Sequence, residues 1–512
     1  MNFKFIIKKV LGERKIKFLK KFFYYTQTSS NKYFNQYMQE FRYNKTLGNY
    51  TEALVNIKKA KKIKVTELVE REIKILEDKI NFLKTFDSKQ IIKSKFDRNI
   101  QNKKVLHVLN TSMPYLSNGY STRSNYILES QKECGIIPIA LTRPGFPNDF
   151  KDKSLNFSGE YFKENYKGID YYRTLPNLFM RLTTFSEYIE KYTNVIVEVA
   201  RKEKVSTIQG TSNYINGYAA LKAARKMGVP FVYEVRGFWE LTSVSKNEKF
   251  KGSEEFRLAQ KLETFICQNA DKVVVISEGL KNELIRRGID KKKITIIPNG
   301  VNLEKFKVKE INKKFKNLYK KDGVFIIGYI GSVVKYEGLD RIIKSLKYLK
   351  SQGIRDIRFI IAGDGSYKEE LELLSIQFDL KNEVKFLGKI SHDEVSDLYS
   401  IFDLCIFPRI DSEVTRMVTP LKPLEAMAQE KILLASNLDA MREIVKEGIN
   451  GLIFSNDEEI SNMIREIKES KKNYEDLSKN SRKWVSENRN WKIISKQYLE
   501  VYKFDELIQF KN

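Results

Sequence analysis

Arg409, Lys422 and Glu425 lie in one stretch whose residue types and spacing could bind a phosphorylated ligand. Residues 404–407 form a short apolar run that is typical of a buried strand, and Arg409 follows it after one proline. A polar loop then leads to a helical pattern that contains Lys422 and Glu425. Cations and free backbone N–H groups form a natural anion site where a strand end feeds a helix N-terminus.

The helix of this stretch is predicted to begin between Pro420 and Pro423, because Pro suits a first helical turn. Thr419 precedes it and is a good N-cap residue. Glu425 then lies in the first turn. A Glu at that place often only complements the helix dipole, so the charge pattern alone leaves a purely structural role open.

The composition is that of a folded, strongly basic protein. The 512 residues suffice for two or three domains, and the hydrophobic content is 42%. The net charge is +27, and residues 1–100 hold 24 Lys and Arg against 10 Asp and Glu. Such an excess suits nucleic acid, lipid headgroups or a phosphorylated substrate, although a Lys-rich chain can also reflect only an AT-rich genome.

Residues that would support disulfides, metal sites or membrane spans are scarce. Cys134, Cys267 and Cys405 lie far apart within apolar patterns and are predicted to be reduced core residues of a cytosolic protein. With two histidines and no Asp-x-Asp pair, we expect no metal and no bound cofactor. No apolar run approaches the length of about 18 residues that a membrane-spanning helix needs.

Residues 1–100 are predicted to form a helical, basic N-terminal region. Residues 1–21 carry eight Lys and Arg and one Glu, with apolar residues at helical spacing. This pattern suits a helix on an anionic membrane surface and equally a helix docked on its neighbours. Residues 44–62 are similar to one helix-turn-helix unit of the tetratricopeptide type.

From residue 103, short apolar runs alternate with helical patterns in two series. The alternation predicts an α/β protein with two tandem doubly wound, parallel, Rossmann-like domains at 103–302 and 323–482, followed by helices in 483–512 that pack back toward the first domain. Ligands bind such sheets at the carboxyl ends of the strands. The predicted strands are VLHVLNT, IPIALTR, STIQGTS, FVYEVR, KVVVIS and ITIIPNG, then VFIIGYIG, IRFIIAGDG, VKFLGKI, LCIFPR, KILLASN and GLIFSN.

Five motifs in this order resemble glycosyltransferase family 4, which has the GT-B fold. They are ISEGLKNELIRRGIDKKKITIIPNGVNLEKF, GYIGSVVKYEGLDRIIKSLKYL, IAGDGSYKEEL, VKFLGKIS and KPLEAMAQEKILLASN. The similarity covers about residues 103–502. The segments NGYSTRSNYI, YEVRGFWE, KYEGLD and VTPLKPLEAMA resemble sequences of a subgroup of surface-polysaccharide enzymes in this family.

The resemblance implies a retaining hexosyl- or N-acetylhexosaminyl-transferase. The nucleotide-sugar donor would bind the second domain, a glycan or lipid-linked acceptor the first, and the reaction would occur in the cleft between the two domains. The implied process is the assembly of cell-envelope polysaccharide such as capsule or O-antigen. We therefore expect a cytoplasmic protein, peripheral on the inner face of the membrane at most, without a nucleic-acid partner.

Several residues depart from the family pattern around Glu425, which matches the carboxylate that holds the donor ribose. The family usually has Glu where this chain has Met417, Arg where it has Ser332, and Lys where it has Glu337. A His commonly ends the strand where Arg236 stands. The usual sugar-binding Glu and both usual diphosphate cations are therefore missing.

The chemistry still requires positive charge, because a departing nucleoside diphosphate develops negative charge. We assign this task to Arg409, Lys422 and the backbone around residues 331–332, and Arg236 either helps to hold a phosphate or forms a strand-end salt bridge. The catalytic assignments are Arg236, Arg409, Lys422 and Glu425. The donor-binding assignments, which follow the resemblance, are Gly331, Ser332, Lys335, Gly363, Asp364, Gly365, Leu387, Gly388, Thr419, Lys422 and Glu425.

On the acceptor side, the resemblance places Gly119 in the loop after the first strand, with Tyr120, Arg123 and Arg236 facing the cleft. No catalytic base is assigned, because retaining enzymes of this fold can pass the acceptor proton to the departing phosphate oxygen.

Other functions are left open or excluded by single features. A nucleotide-sugar epimerase shares the fold but would not need an acceptor surface, and a binding subunit without catalysis would explain the broken motifs. A nucleic-acid-binding protein is suggested by charge alone, without a clustered aromatic and basic motif. A nicotinamide dehydrogenase is excluded because residues 117–119 replace the G-x-G-x-x-G of such enzymes.

Overall fold

The computed structural model describes residues 29–87, 102–150, 154–320, 323–391 and 394–502. They belong to two compact units. The smaller unit comprises the described part of Met1–Asp87 together with Leu178–Ile189 and Lys249–Ala259, and the larger unit comprises the rest. The basic segment 1–21 and the predicted end of the helical region near residue 100 lie outside the described residues.

The smaller unit is built on three helices that follow one another closely. A tight turn at Gly48, whose φ is 78°, joins the first two, so the helix-turn-helix predicted for residues 44–62 is confirmed. Thr66 caps the third helix by accepting a hydrogen bond from the backbone N–H of Val69 at 3.2 Å. The helices are α1 (Ser29–Leu47), α2 (Tyr50–Ile63) and α3 (Glu67–Thr85).

Two later segments of the chain complete the smaller unit. The Lys79 ammonium pairs with the Glu255 carboxylate at 2.8 Å. The backbone N–H of Ser186 donates to Asp78 Oδ2 at 3.0 Å. Its core is a set of apolar side chains at helical spacing, including Ala53, Ile57, Ala60, Val69, Ile73, Leu76 and Ile80.

The first sheet of the larger unit has eight strands in the order β3-β4-β2-β1-β5-β6-β7-β8. The six strands predicted in the first series are all present. The strands are β1 (Lys104–Leu109), β2 (Ile137–Thr142), β3 (Tyr161–Tyr166), β4 (Ile169–Thr174), β5 (Thr207–Thr211), β6 (Phe231–Val235), β7 (Lys272–Val275) and β8 (Ile294–Ile296).

The prediction of a wholly parallel first sheet is wrong at one edge, where β3 and β4 pair antiparallel. A two-residue loop, Lys167 and Gly168, joins them, and both residues have positive φ, at 52° and 74°. Such a loop matches the twist of paired antiparallel strands and closes a hairpin.

The helices α4 to α9 accompany the first sheet in sequence. They confirm the predicted alternation of strands and helices in this part of the chain. Their bounds are α4 (Gly119–Glu133), α5 (Phe185–Glu203), α6 (Tyr214–Met227), α7 (Trp239–Lys246), α8 (Glu254–Asn269) and α9 (Glu278–Arg286), with single 3-10 turns at Glu248–Phe250 and Lys291–Lys293.

The second sheet has six strands in the order β11-β10-β9-β12-β13-β14, all parallel. They match the six predicted runs: β9 (Phe325–Ile330), β10 (Ile357–Ala362), β11 (Val384–Gly388), β12 (Leu404–Phe407), β13 (Ile432–Ser436) and β14 (Leu452–Phe454). The helices are α10 (Lys313–Tyr319), α11 (Leu339–Ser351), α12 (Lys368–Gln377), α13 (Glu394–Tyr399), α14 (Glu413–Met417), α15 (Lys422–Ala428), α16 (Asp439–Arg442), α17 (Asp457–Glu469) and α18 (Glu475–Asn488), with 3-10 turns at Lys335–Glu337 and Lys471–Tyr474.

The last two described helices, α19 (Trp491–Ile494) and α20 (Gln497–Val501), pack on the first sheet. Trp491 and Tyr498 share a buried cluster with Val105 of β1 and Val232 of β6. No helix among the described residues is long and apolar enough to cross a membrane.

Each sheet has a point at which the strand order reverses. In the first sheet the reversal lies at β1, between β2 and β5, and in the second at β9, between β10 and β12. The crevice outside the carboxyl ends of strands at such a point is the usual ligand site of open α/β sheets.

Candidate functional site

A cavity of about 650 Å³ lies at the carboxyl ends of strands from both sheets. Loops after β1, β6 and β8 line one side, and loops after β9, β10, β11 and β12 line the other. Its volume is in the range of ligand pockets. The predicted site residues that it brings together are Gly119, Tyr120, Arg123, Arg236, Gly331, Ser332, Gly363, Asp364, Arg409, Thr419, Lys422 and Glu425.

The ammonium group of Lys422 is held at the end of β9. It donates to the Tyr329 hydroxyl at 2.6 Å and pairs with the Glu337 carboxylate at 2.9 Å. The Tyr329 hydroxyl in turn donates to the carbonyl oxygen of Ser332 at 2.8 Å. Lys422 is therefore a positioned cation rather than a solvated surface charge.

The Lys422–Glu337 pair is largely removed from water, with side-chain exposures of 17% and 6%. Burial lowers the pKa of Lys422, and the Glu337 carboxylate only partly offsets this. Burial raises the pKa of Glu337, but the charges of Lys422 and Arg409 outweigh it, so the net pKa lies below its usual value. Each group keeps its partner charged, which is how buried ion pairs survive desolvation.

Gly331 is required at its position by the path of the Lys422 side chain. Its φ is 148°, and a Cβ there would lie 2.2 Å from Lys422 Cε. Gly363 is required for a related reason, because a Cβ there would lie 1.8 Å from the Gly331 carbonyl oxygen. The two glycines let the loops after β9 and β10 approach each other beside the cavity.

Arg409 follows β12, the strand beside β9. Its side chain is 4% exposed, and its Nη1 donates to the carbonyl oxygen of Val418 at 2.7 Å. Its Nε is buried without a hydrogen-bond partner among the described residues. A buried guanidinium with a free donor at a cavity wall suits an anionic ligand.

Glu425 lines the cavity one turn after Lys422, and its carboxylate makes no hydrogen bond to any described residue. Burial raises the pKa of Glu425 to about 7, although Lys305 and Lys422 oppose the shift. A half-buried carboxylate without a hydrogen-bond partner among the described residues is suited to accept hydrogen bonds from hydroxyl groups of a ligand.

The helix that carries these residues begins at Lys422, within the interval predicted from Pro420 and Pro423. Thr419 is not its N-cap: the cap position is Leu421, without a side-chain hydrogen bond. The Nδ2 of Asn299, after β8, donates instead to the Thr419 carbonyl oxygen at 2.7 Å. Thr419 therefore ties loops of the two sheets together.

Arg236 forms the strand-end salt bridge that the sequence left open, because its Nη2 lies 3.0 Å from Glu234 Oε2. It also donates through Nη1 to the carbonyl oxygen of Tyr120 at 2.9 Å and to Ser124 Oγ at 2.7 Å. Its Nε remains buried without a partner among the described residues. The side chain reaches the cavity wall, but its main contacts are structural.

Arg123 lines the cavity as predicted, but its guanidinium is already satisfied by protein partners. It is 2% exposed and paired with Glu234 at 2.9 Å. It also donates to the carbonyl oxygens of Ile297 and Pro298, at 2.8 and 2.9 Å. Its guanidinium therefore joins α4 to the ends of β6 and β8.

The loop after β1 brings Gly119 and Tyr120 to the first-sheet wall. Asn118 caps α4 by accepting from the backbone N–H of Ser121 at 2.9 Å. A Cβ on Gly119 would lie 3.9 Å from Leu421 Cδ1, so this loop closely faces the start of α15. The Tyr120 hydroxyl accepts from the Asn110 backbone N–H at 2.9 Å, which fixes its ring.

Four predicted donor-binding residues do not line the cavity. Lys335 opens the 3-10 turn after β9, and its side chain is exposed. Gly365 is packed on the backbone, where a Cβ would lie 2.1 Å from the Val333 carbonyl oxygen. Leu387 and Gly388 end β11, and the two residues after them reach the cavity instead.

Some cavity residues were not assigned from the sequence. Lys389, directly after β11, is exposed, lines the cavity and forms no ion pair with any described residue. Tyr329, inside β9, holds Lys422, and Trp239 opens α7. Lys389 lies inside the predicted strand VKFLGKI, which in the structure ends one residue earlier, at Gly388, so it could have been found only as a cation near a strand end. The role of Tyr329 gives no sequence signal because the residue lies inside an apolar run.

No cluster of three or more His, Cys, Asp and Glu side chains placed to hold a metal ion occurs in the described part of the chain. The three cysteines are free, and Cys267 and Cys405 are buried.

Two family profiles match most of the two-sheet region. Residues 155–305 match the profile described as Glycosyltransferase Family 4, and residues 310–484 match that of Glycosyl transferases group 1. An uncharacterized glycosyltransferase, MJ1069 of Methanocaldococcus jannaschii, is 27% identical over 51% of this chain and 65% of its own length. The chain thus spans just under two thirds of that relative.

Two further relatives carry more specific names. The alpha-monoglucosyldiacylglycerol synthase of Acholeplasma laidlawii is 25% identical over 57% of this chain and 73% of its own. The capsular polysaccharide biosynthesis glycosyltransferase CapM of Staphylococcus aureus is 26% identical over 53% and 69%.

Solved structures agree on the architecture. Sucrose-phosphate synthase from Thermosynechococcus elongatus matches with a TM-score of 0.64 at 18% identity, over 80% of this chain and all of its own. Anabaena HepE in complex with UDP and glucose matches with a TM-score of 0.60 at 16% identity, over 78% of this chain and 98% of its own. With the profile matches, these likenesses confirm the predicted fold class: the chain belongs to glycosyltransferase family 4 and has the GT-B fold.

Proposed function

We propose that the protein is a retaining glycosyltransferase that moves a sugar from a nucleotide-sugar donor onto a glycan or lipid-linked acceptor of the cell envelope. One observation carries the proposal: Arg409, Lys422 and Glu425 line a single cavity that Gly119 faces from the other sheet. The names of two relatives, which concern a capsular polysaccharide and a glycolipid, support the class of acceptor.

In the proposed complex, the donor diphosphate binds Lys422 and Arg409, and the ribose hydroxyls bind the Glu425 carboxylate. Lys422 stands fixed before the ligand arrives, through its contacts with Tyr329 and Glu337. Preorganised positive charge where a leaving group becomes anionic is the largest usual contribution to such a reaction. Lys389 supplies a further cation at the same wall.

The proposed transfer breaks the bond between the sugar C1 and the diphosphate oxygen and forms a bond between C1 and an acceptor oxygen. The acceptor hydroxyl proton passes to the departing phosphate oxygen, so no protein base is required. Retention of the anomeric configuration follows from the family resemblance. The chain's own task is to hold the diphosphate, exclude water and present the acceptor from the first-sheet wall.

A panel of nucleotide sugars and nucleoside diphosphates tests this proposal. A ligand that binds the folded protein raises its melting temperature, and hydrolysis or transfer reports turnover. We expect at least one nucleotide to stabilise the parent and the control Lys472→Met, which removes an exposed charge outside the cavity. The same nucleotide should stabilise Lys422→Met and Glu425→Ala much less.

The panel also separates the two alternatives. Conversion of the donor sugar into its epimer without an acceptor would indicate an epimerase. Nucleotide binding without hydrolysis, transfer or epimerisation in any combination would indicate a binding subunit. Absence of any nucleotide binding would refute the proposed donor site itself.

A further inference from the structure

Trp239 is the large aromatic side chain of the first-sheet wall that remains open to solvent. It is 41% exposed and lines the cavity from the first residue of α7. The indole therefore lines the same cavity as Lys422 and Glu425, from the opposite sheet. Such an exposed indole, in a cavity lined by both charged and apolar side chains, needs an explanation, because burial would normally be favoured.

The residues on either side of Trp239 are locked in place. Phe238 and Glu240 are each 1% exposed. The Arg287 guanidinium lies 3.9 Å from the centre of the Phe238 ring, and its Nη2 pairs with Glu240 Oε1 at 2.9 Å. Arg287 is itself held by Glu283 of α9 at 2.7 Å. This clamp fixes the backbone on both sides of the indole.

The helix α7, which carries Trp239, packs against elements of the second sheet. The helix contacts the Lys335–Glu337 turn and α14, both of which belong to the second sheet. Thr242, three residues after Trp239 and thus on the same helix face, also lines the cavity and adds a hydroxyl group. The wall therefore combines an apolar plane, carried on a fixed backbone, with a polar group next to it.

We infer that Trp239 is the stacking platform for a pyranose ring of the acceptor. The inference rests on the proposed function, which places the donor on the opposite wall. The apolar C–H face of a sugar ring can cover an indole while the hydroxyl groups at its edge stay hydrogen-bonded, and a two-torsion aromatic loses little entropy on binding. The rigid mounting of Trp239 would orient the acceptor hydroxyl toward the donor.

The test uses calorimetry on the full chain with octyl glycosides of glucose, galactose, mannose and N-acetylglucosamine as probes. The titrations are made with and without saturating UDP, GDP or ADP. The variants are Trp239→Ala, Trp239→Phe and the control Tyr348→Ala, which removes an exposed aromatic that does not line the cavity. We expect at least one glycoside to bind the parent and the control alike. Its affinity should fall about tenfold or more in Trp239→Ala, and less in Trp239→Phe.

The outcomes separate the platform from the proposed function. Nucleoside diphosphate affinity should be equal in all four proteins, since Trp239 does not belong to the donor wall. If nucleotides bind but no glycoside does, or if Trp239→Ala binds the glycoside as the parent does, the platform is refuted and the donor site stands. If glycosides bind through Trp239 but no nucleotide binds, the proposed function fails instead.

Discussion

Replacing Lys422 with Met should weaken nucleoside diphosphate binding more than replacing Lys422 and Glu337 together. The two groups pair at 2.9 Å with little exposure, so the rules for buried rather than surface ion pairs apply. In the proposed complex Lys422 pairs with the donor phosphates, and truncating one partner of a buried charge pair across a binding interface costs about 2–5 kcal/mol in binding. In Lys422→Met, the Glu337 carboxylate is also left buried and without its lysine partner at the cavity.

The expected change in nucleotide affinity follows from these energies. The single change should raise the Kd for the nucleoside diphosphate by about thirtyfold to several thousandfold. Adding Glu337→Gln removes the repelling carboxylate and should recover at least about tenfold, or 1.4 kcal/mol. The free energy of unfolding should follow the same order, with a loss of about 3 kcal/mol in Lys422→Met and a smaller loss in the double variant.

The assay is a double-mutant cycle by titration calorimetry at pH 8, with denaturant unfolding of each protein alongside. This pH matters because Lys422 and Arg409 together hold the pKa of Glu337 down against burial. Loss of Lys422 therefore allows that pKa to rise, and a protonated Glu337 would not repel phosphate. If the double variant binds as weakly as Lys422→Met, Glu337 is not coupled to the phosphate site. If Lys422→Met binds like the parent, the ammonium does not meet the diphosphate at all.

Four other predictions follow from the same structure. Gly331→Ala should lower both stability and nucleotide affinity, because its Cβ would lie 2.2 Å from Lys422 Cε. Gly353 also has a positive φ, of 85°, but a Cβ there would meet no atom within 4 Å, so Gly353→Ala should lower stability alone. Equal nucleotide affinities in the two variants would contradict this prediction. The pKa of Glu425 is raised from 4.5 to about 7, so the folded state binds more protons than the unfolded state between those pH values. The free energy of unfolding should therefore fall as pH rises through this window, and Glu425→Gln should remove that slope. Nucleotide affinity should rise with pH toward 7 in the parent only. Transfer should survive a chelator, and complete loss that manganese restores would overturn this expectation. Deleting residues 1–28 should weaken binding to anionic liposomes without changing nucleotide affinity, and unchanged liposome binding would count against a membrane role for this basic segment.

The elements that position the site were predictable because buried parallel strands are continuous apolar runs. All twelve predicted strands lie in the two sheets, and the carboxyl ends of several of them, including β1, β6, β9 and β12, meet at the cavity. The hairpin β3–β4 was missed because Tyr161–Tyr166 has a partly exposed, largely polar edge strand without such a run. The smaller unit was expected to be contiguous, but contacts of Asp78 and Lys79 with Ser186 and Glu255 add segments from far along the chain.

The sequence predicted where the site residues lie better than it predicted which side chains they contact. Arg409, Lys422 and Glu425 meet at one cavity because strand ends and helix starts converge at a sheet edge. The pairing of Lys422 with Glu337 joins residues far apart in sequence, and nothing in either motif indicates it. Arg123 lines the cavity as expected, but its pairing with Glu234 and with backbone carbonyls of a distant loop could not be predicted from the sequence.

The most direct test of the donor-site assignment is a crystal structure with the nucleoside diphosphate that stabilises the protein most. We expect diphosphate oxygens within about 3.2 Å of Lys422 Nζ and of an Arg409 nitrogen, with both ribose hydroxyls on the Glu425 carboxylate. Density for the nucleotide at any other place, or a nucleotide in the cavity whose ribose turns away from Glu425, would contradict it.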